Sequence, residues 1–371
     1  MKVIYSNFDT IIFAVQGALK PSVIERLRLA KTTAEKDQLD KPIRFENLTQ
    51  DIYIKPTGQK GGYAFVLDMG YDAQIISLKD NLSRMNWNGY VKIRALSLAL
   101  KGYDKAVQDA LKTLNDIGFE IAAISMNRAD YAIDVLTPYP IELDADLVVT
   151  HSRRQVKTHL DPIVTVSRAR QVQSITIGKM PSSQIIIYDK IAEIKAKKNY
   201  AWFKIWGIDR NTKDVYIKRV EIRAGKEVLK ASNIKDIESF NLRIGGVLKR
   251  LAANTRYVAP LSTDSTMSRR AHHPLWTLIT KQLQSRILSA SSYIEPHEIK
   301  LIIKEAKAQE YKAGTLGHLI GLACCQDIAF EQISDVLEPI MDDLTDMMRE
   351  GSKKNEVYGK KYAQAQDRLR F

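Results

Sequence analysis

Three short segments of this chain place charged or hydroxyl side chains at alternate positions, a spacing that is typical of β-strands. They are residues 127–134, 185–190 and 218–223. Alternate residues of a strand point to the same face of a sheet. The side chains that share a face are Arg128, Asp130 and Asp134 in the first segment, Tyr188 and Lys190 in the second, and Arg219, Glu221 and Arg223 in the third. If the three strands are neighbours in one sheet, these side chains form a single site.

The side chains of this site suit chemistry on a phosphodiester. A tyrosine hydroxyl can act as a nucleophile, carboxylates can hold a divalent cation, and arginines can clamp phosphate oxygens. A phenol with a pKa of about 10 is a weak nucleophile at neutral pH, and a nearby cation such as Lys190 lowers the cost of forming phenolate. Two plainer interpretations stay open. Tyr188 can be an ordinary strand residue, and the arginines and carboxylates can form a salt-bridge network in which Asp134 only orients Arg128.

The order of the periodic segments predicts the fold class. Strand-like segments prevail as far as about residue 223, and helical periodicity prevails after about residue 235. This order predicts an α+β fold, in which a mostly antiparallel sheet domain precedes a helical C-terminal region. The predicted divisions are a sheet domain at 51–235, a helical region at 236–350 and a flexible basic tail at 351–371. Residues 1–50 form an N-terminal element that is either appended or part of the first sheet.

Individual helices are also predicted. A basic helical segment is expected at 21–35 and an amphipathic helix at 104–117, where apolar residues recur at spacings of three and four. Apolar residues recur at similar spacings in 327–350 and form a stripe along this segment, which also holds eight acidic residues and one basic residue. We expect this stripe to pack within the chain, with a dimer interface as the alternative. Pro339 interrupts the stripe and favours two short helices over one long coiled coil.

The net charge of +13 is concentrated around the candidate site. Residues 151–230 contain 18 lysines or arginines and 7 acidic residues. Such a concentration is expected of a protein that binds a polyanion, because each neutralised phosphate releases condensed counterions. A solvated basic surface or a membrane-facing patch is the alternative. The candidate DNA-binding residues are Arg168, Arg170, Lys179, Lys195, Lys197 and Lys198.

Several classes of protein do not fit the sequence. No run of apolar residues is long enough to span a membrane, and the first residues lack a signal-peptide pattern, so a cytoplasmic protein is expected. The two cysteines, Cys324 and Cys325, are adjacent in an apolar stretch and are expected in the core. None of the six histidines forms a His-hydrophobe-His motif, so a metal would be held by oxygen ligands, which favours Mg²⁺ or Mn²⁺ over zinc. No phosphate-binding loop of the Walker type is present.

The motifs Arg128-x-Asp130-x-x-x-Asp134, Tyr188-Asp189-Lys190 and Arg219-x-Glu221-x-Arg223 occur in this order over roughly residues 50–235. In order and spacing they resemble those of the replication initiation factor family, which comprises rolling-circle replication initiators of plasmids and related relaxases of conjugative elements and phages. Many members carry a Gly-Ser-Arg loop before the tyrosine strand. Here the loop at 178–183 reads Gly-Lys-Met-Pro-Ser-Ser.

The resemblance implies a metal-dependent endonuclease that nicks one DNA strand at a replication origin. Tyr188 would be the nucleophile, and Asp130 and Glu221 would hold Mg²⁺ or Mn²⁺, with Asp134 as a further candidate ligand. Origin DNA, duplex and single-stranded, would be the main partner, without a membrane. The candidate protein partners are a second copy of the chain, as a homodimer, and a host helicase or polymerase. The alternative is a DNA-binding regulator of a phage or plasmid that kept the fold without the cutting activity.

Overall fold

The computed structural model describes most of the chain. The described residues are 1–48, 52–70, 73–150, 156–160, 172–260, 266, 269–285, 287, 296–353, 358–359, 361–362 and 366. The predicted DNA contacts Arg168 and Arg170, and most of the predicted tail at 351–371, lie outside these residues. Within the described part, no helix is both long enough and apolar enough to cross a membrane.

An antiparallel sheet dominates the structure. Its strands, together with those of a separate two-stranded pair, are β1 (Lys2–Leu19), β2 (Lys41–Ile43), β3 (Ile52–Ile54), β4 (Phe65–Asp68), β5 (Gln74–Leu78), β6 (Trp87–Ile93), β7 (Phe119–Thr137), β8 (Val148–Thr150), β9 (Val156–Leu160), β10 (Val172–Lys179), β11 (Ser183–Asp189), β12 (Tyr216–Gly225) and β13 (Thr255–Tyr257). Eleven of them form one sheet in the order β2-β3-β4-β5-β6-β1-β7-β12-β11-β10-β9, and β8 pairs with β13. The paired strands are antiparallel throughout, as the sequence predicted.

The first strand, β1, occupies the middle of the sheet. It pairs with β6 on one side and with β7 on the other. Its alternate residues Ile11, Phe13 and Val15 are fully buried, which explains why so long a strand forms here. Of the two interpretations of residues 1–50, the structure therefore supports a segment that is part of the sheet.

Nine helices are described. They are α1 (Pro21–Asp37), α2 (Ala95–Asp116), α3 (Lys190–Lys197), α4 (Ala201–Trp206), α5 (Lys226–Ala231), α6 (Ile237–Ala253), α7 (Pro274–Gln282), α8 (Pro296–Cys325) and α9 (Leu337–Lys353). The helices predicted at 21–35 and 104–117 are confirmed as α1 and α2. Helix α2 begins earlier than predicted and bends at Gly102, whose φ of +73° is not helical. The α+β class is confirmed.

One hydrophobic core lies against one face of the sheet. It joins β12 residues such as Val220 and Ile222 to α2 and to the C-terminal helices α6 and α7. Phe240 and Ile244 of α6 and Trp276 of α7 are fully buried in it. The sequence-based division near residue 235 therefore separates elements that share one core.

A smaller apolar cluster lies on the opposite face. It contains Ile217 of β12, Ile194 of α3, and Trp202, Phe203 and Trp206 of α4. Because Ile217 and Arg219 are two residues apart in one strand, they share this face. Helices α3 and α4 therefore pack beside the charged residues of β12.

The apolar stripe near the C-terminus behaves differently from the prediction. Ile340 of α9 is buried, but Leu344 is 38% exposed and Met347 is 50% exposed. The expectation that this stripe packs within the chain is wrong for these two positions. Pro339 lies in the first turn of α9, where proline is tolerated, and α8 ends well before it. Cys324 and Cys325 are exposed at the end of α8, so their predicted burial is also wrong.

Candidate active site

The three strands that carry the predicted site lie side by side as β7, β12 and β11. Tyr188 lies opposite Arg219, which in turn lies opposite Asp134. Further along the sheet, Arg223 lies opposite Asp130. Directly opposed residues of antiparallel strands share a face. The expectation that the three segments are neighbours is confirmed, and these side chains stand on one face.

Arg219 is the buried centre of this face. Its Nε and Nη2 donate to the two carboxylate oxygens of Asp134 at 2.5 and 2.7 Å, and its Nη1 donates to Asp9 at 2.7 Å. Its guanidinium carbon lies 4.2 Å from the centre of a ring of Trp202. Burial acts to lower the pKa of the Arg219 guanidinium, but the nearby carboxylate of Asp134 outweighs this effect and raises the pKa well above its usual value. Arg219 is therefore a fixed positive charge beside Tyr188.

Asp134 is fully buried and has a second partner beside Arg219. The indole Nε1 of Trp206 donates to its Oδ2 at 2.8 Å. Both oxygens of Asp134 thus accept hydrogen bonds, two from Arg219 and one from Trp206. The idea that Asp134 only orients Arg128 does not hold, because the described bonds of Asp134 hold Arg219 instead.

Arg128 and Arg223 pair with the other two carboxylates. Arg128 donates from Nε to Asp130 Oδ1 at 2.8 Å and from Nη2 to Asp130 Oδ2 at 2.6 Å. Arg223 donates from Nε to Glu221 Oε1 at 3.0 Å. Asp130 and Glu221 are nearly inaccessible, while the two arginines are about a quarter exposed. The carboxylates therefore lie beneath the arginines, which face the solvent.

The carboxylates of this face repel one another. Burial, followed by the negative charge of Asp9, raises the pKa of Glu221 to about 7. Burial also raises the pKa of Asp130, against the opposing effect of its bonds to Arg128. Glu221 is therefore a group that exchanges a proton near neutral pH.

Tyr188 lies on the same face with its phenol mostly covered. Burial raises the pKa of this phenol well above its usual value, and the positive charge of Arg219 partly opposes the rise. The ammonium of Lys190 lies 5.7 Å from the centre of the Tyr188 ring. Formation of phenolate here would depend on the neighbouring cations.

Lys190 is not a strand residue, contrary to the prediction. Strand β11 ends at Asp189, whose side chain accepts a hydrogen bond from the backbone N–H of Ala192 and so caps α3, which begins at Lys190. Lys190 is buried, donates to Glu193 at 2.7 Å and lies 4.7 Å from the centre of a ring of Trp202. Burial, and then the charge of Arg219, lowers its pKa. It remains beside Tyr188, although the helix places it there.

These side chains line an open cleft of about 710 Å³. The cleft is bounded by the sheet on one side and by α3 on the other. Among its lining residues are Asp9, Arg128, Asp130, Tyr188, Lys190, Glu221 and Arg223. Residues from five elements, β1, β7, β11, α3 and β12, thus meet in one concave surface, which is the usual form of a ligand site.

Of the described DNA-binding candidates, Lys197 is among the residues that line this cleft, whereas Lys179, Lys195 and Lys198 are not. Lys179 ends β10 and is exposed. Lys195 and Lys197 lie on exposed positions of α3, and Lys198 follows them as its C-cap. Lys197 is paired with Glu193, and Lys198 with Glu310 of α8, at 2.7 Å each. A phosphate would have to compete with these two ion pairs.

The turn before the tyrosine strand is held closely against β12. Gly178 has a φ of +88°, and a Cβ at this position would come 2.4 Å from the carbonyl oxygen of Ser183. A Cβ on Gly225 of β12 would come 2.0 Å from the carbonyl oxygen of Pro181. Only glycine fits at positions 178 and 225, because any larger residue would collide with the backbone of the loop at 178–183. These close contacts fix the shape of the loop, although its sequence departs from the Gly-Ser-Arg pattern.

The carboxylates do not form a ready metal site. No group of three or more acidic, histidine or cysteine side chains in the described part of the chain is arranged to hold a metal ion. Arg128 occupies both oxygens of Asp130, Arg223 occupies one oxygen of Glu221, and Arg219 and Trp206 occupy Asp134. In this arrangement the arginines neutralise the charge that a cation would neutralise.

Sequence reasoning did not identify four residues that shape the site: Asp9, Glu193, Trp202 and Trp206. Asp9 lies where the register between β1 and β7 shifts, at a bulge between Phe8 and Thr10. It is 210 residues from its partner Arg219. No local pattern marks such a residue, whereas the aromatic Ala-Trp-Phe-Lys-Ile-Trp run of α4 was a visible signal.

The comparisons with known proteins found little. No protein-family model matches the chain, and no curated protein matches it. Among solved structures, the chain is similar to the rolling circle replication initiator protein from Geobacillus stearothermophilus. The two are 14% identical, the match covers 77% of this chain and 99% of that chain, and the TM-score is 0.42. Similarity at this level carries no functional argument, so function has to be argued from the site itself.

Proposed function

We propose that this chain nicks and rejoins one strand of DNA at the replication origin of a mobile element, through a covalent bond between Tyr188 and a DNA phosphate. The observation that carries the proposal is the row formed by Tyr188, Arg219 and Asp134 across three strands, together with the cleft that Tyr188 lines with Arg128 and Arg223. A hydroxyl nucleophile beside several fixed positive charges suits attack on an anionic phosphate.

The arginines would act on the DNA. Arg128 and Arg223 are partly exposed cations of the cleft, and a guanidinium can donate two parallel hydrogen bonds to a phosphate. Arg219 is buried and fully engaged, so its role would be to favour the phenolate form of Tyr188 through its charge. Lys190, whose ammonium lies 5.7 Å from the centre of the ring, would support the same form.

The proposed reaction is a transesterification. The phenol oxygen of Tyr188 forms a bond to phosphorus, and the bond from phosphorus to one sugar oxygen breaks. The proton leaves the phenol and a proton joins the departing sugar oxygen. Glu221 lies in the same cleft with a pKa of about 7. Since an efficient proton carrier has a pKa near the working pH, Glu221 suits this transfer.

The proposal retains Mg²⁺ or Mn²⁺ as cofactor, with Asp130, Glu221 and Asp134 as the candidate ligands. Arginines and Trp206 already occupy these carboxylates, which disfavours a bound cation. The transesterification as written needs only residues of the chain. Removal of divalent cations during a cleavage assay tests the cofactor separately.

The direct test is incubation of the full chain with supercoiled DNA that carries the origin of its own element, with magnesium or manganese. We expect nicked or relaxed DNA with protein attached. Tyr188→Phe should abolish both products, since only the attacking oxygen is lost, while Tyr139→Phe, which alters an exposed tyrosine, should not. Binding without cleavage by the wild-type chain would contradict the proposal.

A non-catalytic DNA-binding regulator is the second candidate. It is favoured by the mutual neutralisation of the arginines and carboxylates and by the raised pKa of Tyr188, since both features also suit a structural network. The same assay separates the two candidates. A regulator would bind the origin DNA and protect it without forming a covalent adduct.

A further inference from the structure

A second cavity lies among the C-terminal helices. It has a volume of about 270 Å³ and is formed by the end of α6, by β13 and by α7 with the residues on either side of it. The polar or aromatic side chains that line it include Lys249, Thr255, Arg256, His272, Trp276 and Gln284. The helices that form it pack on the sheet face opposite to the candidate active site.

The cavity is basic. Lys249 comes from α6, Arg256 from β13 and His272 from the segment before α7, so three separate elements each contribute a group that is positive or can become so. Of its described lining residues, none is acidic. The surrounding sequence from 239 to 284 contains seven lysines or arginines and one acidic residue, Asp264. Such a surface favours an anion.

Arg256 is held in position within the wall. Its Nη2 donates to the backbone carbonyl of Arg270, so the guanidinium is tied to the segment that also carries His272. Burial, followed by the positive charge of Arg256, lowers the pKa of His272. An anion between these two side chains would relieve their repulsion and raise the pKa of His272 again.

Trp276 provides an independent observation. Its side chain is fully buried in the wall of the cavity, and its indole Nε1 has no hydrogen-bond partner among the described residues. A buried tryptophan N–H usually finds an acceptor, because an unpaired buried donor is costly. An acceptor supplied from outside the chain would remove this cost, and the flat apolar body of the indole suits contact with an aromatic ring.

We propose that this cavity binds a nucleoside phosphate, with the phosphate between Lys249, Arg256 and His272 and the base near Trp276. A nucleotide of a DNA strand and a free nucleotide share this chemistry. The inference goes beyond the proposed nicking function, since the cavity lies on the other face of the sheet and contains none of the residues placed in that reaction.

The test uses the full-length chain with ¹⁵N-labelled tryptophan. Its four tryptophans give four indole N–H signals, and loss of one signal in Trp276→Phe assigns Trp276. Inorganic phosphate, thymidine monophosphate and a short oligothymidine are added in turn, without divalent cations. We expect the nucleotide, the oligomer or both to move the Trp276 signal, and to do so at lower concentrations than inorganic phosphate. A response to the oligomer alone identifies a DNA strand as the source, and a response to the mononucleotide alone identifies a free ligand.

Variants show whether the cavity itself is responsible. Lys249→Ala should weaken binding by about tenfold, the effect of one charge-assisted contact. The matched control is Lys281→Ala, which removes an exposed lysine of α7 that does not line the cavity and should leave binding unchanged. Three results would overturn the inference. They are equal weakening of binding by both variants, no movement of the Trp276 signal with any of the probes, and movement of that signal with inorganic phosphate alone. Because no cleavage is measured, failure of the nicking proposal would leave this test unaffected.

Discussion

Replacement of Asp134 by asparagine tests the buried charge pair beneath the candidate site. Asp134 and Arg219 are both inaccessible to solvent, and two hydrogen bonds join them. The asparagine side chain is uncharged, so the substitution Asp134→Asn leaves the Arg219 guanidinium with Asp9 as its only described carboxylate partner. It also places an amide N–H₂ group among N–H donors from Arg219 and Trp206.

The expected loss follows from these contacts. Removal of one partner of a buried ion pair costs about 3 to 5 kcal/mol, because the remaining charge is uncompensated. The matched control is Asp9→Asn, which removes a single bond from a carboxylate that is 18% exposed. We expect this control to cost about 1.5 to 3 kcal/mol, the usual range for a hydrogen bond to a charged group.

Urea unfolding of the three chains, followed by tryptophan fluorescence, measures these differences. The midpoint should fall furthest in Asp134→Asn with an unchanged dependence of the free energy of unfolding on urea concentration. The double variant Asp134→Leu with Arg219→Met should recover much of the loss, since no fully buried charge is left unpaired and Asp9, which loses its bond to Arg219, is 18% exposed. A loss of less than about 1 kcal/mol in Asp134→Asn would refute the reasoning, because a buried charge without its partner has to cost more than that.

Three further predictions concern pH, salt and metal. Folded Glu221 holds its proton up to about pH 7, whereas an ordinary glutamate loses it near 4.5, so the folded state binds more protons between these values. The free energy of unfolding should therefore fall as the pH rises through this range. Measured by urea titration at each pH, the fall should be up to about 3 kcal/mol larger than in Glu221→Gln. An equal pH dependence in both chains would contradict the raised pKa. The affinity for DNA, measured by fluorescence anisotropy, should fall by about 10³ to 10⁵ between roughly 50 and 200 mM salt if about 6 to 10 phosphates are contacted, and a flat response would mean that the basic stretch is only surface. If the carboxylates hold a cation, cleavage in a gel-based nicking assay should be abolished by Asp130→Ala, by Glu221→Ala and by EDTA. Undiminished cleavage in EDTA would remove the metal from the proposal.

Much of the sheet was predictable because its signal is local. Alternation of side chains identified the segments that became β7, β11 and β12, and their adjacency then placed Tyr188, Arg219 and Asp134 in one row. Helix α2 was predictable for the same reason, since its apolar residues recur at helical spacing. These patterns are fixed by the geometry of a single element.

The partners within the site were less predictable because they depend on contacts between distant elements. Asp9 reaches Arg219 only through the bulge in β1, and Trp206 reaches Asp134 only because α4 packs on that face. Lys190 was assigned to a strand, although Asp189 carried a recognisable signal as a helix cap. The pairing of each carboxylate with an arginine also could not be read from the sequence, since every one of these residues had several candidate partners.

The central claim is that the hydroxyl of Tyr188 becomes covalently attached to DNA. The measurement is mass spectrometry of the peptides from the chain after incubation with single-stranded origin DNA and nuclease digestion of the adduct. The peptide that contains Tyr188 should carry a residual nucleotide on this tyrosine, and the adduct should be missing in Tyr188→Phe. A nucleotide on a different tyrosine, or cleaved DNA without any attached peptide, would contradict the claim.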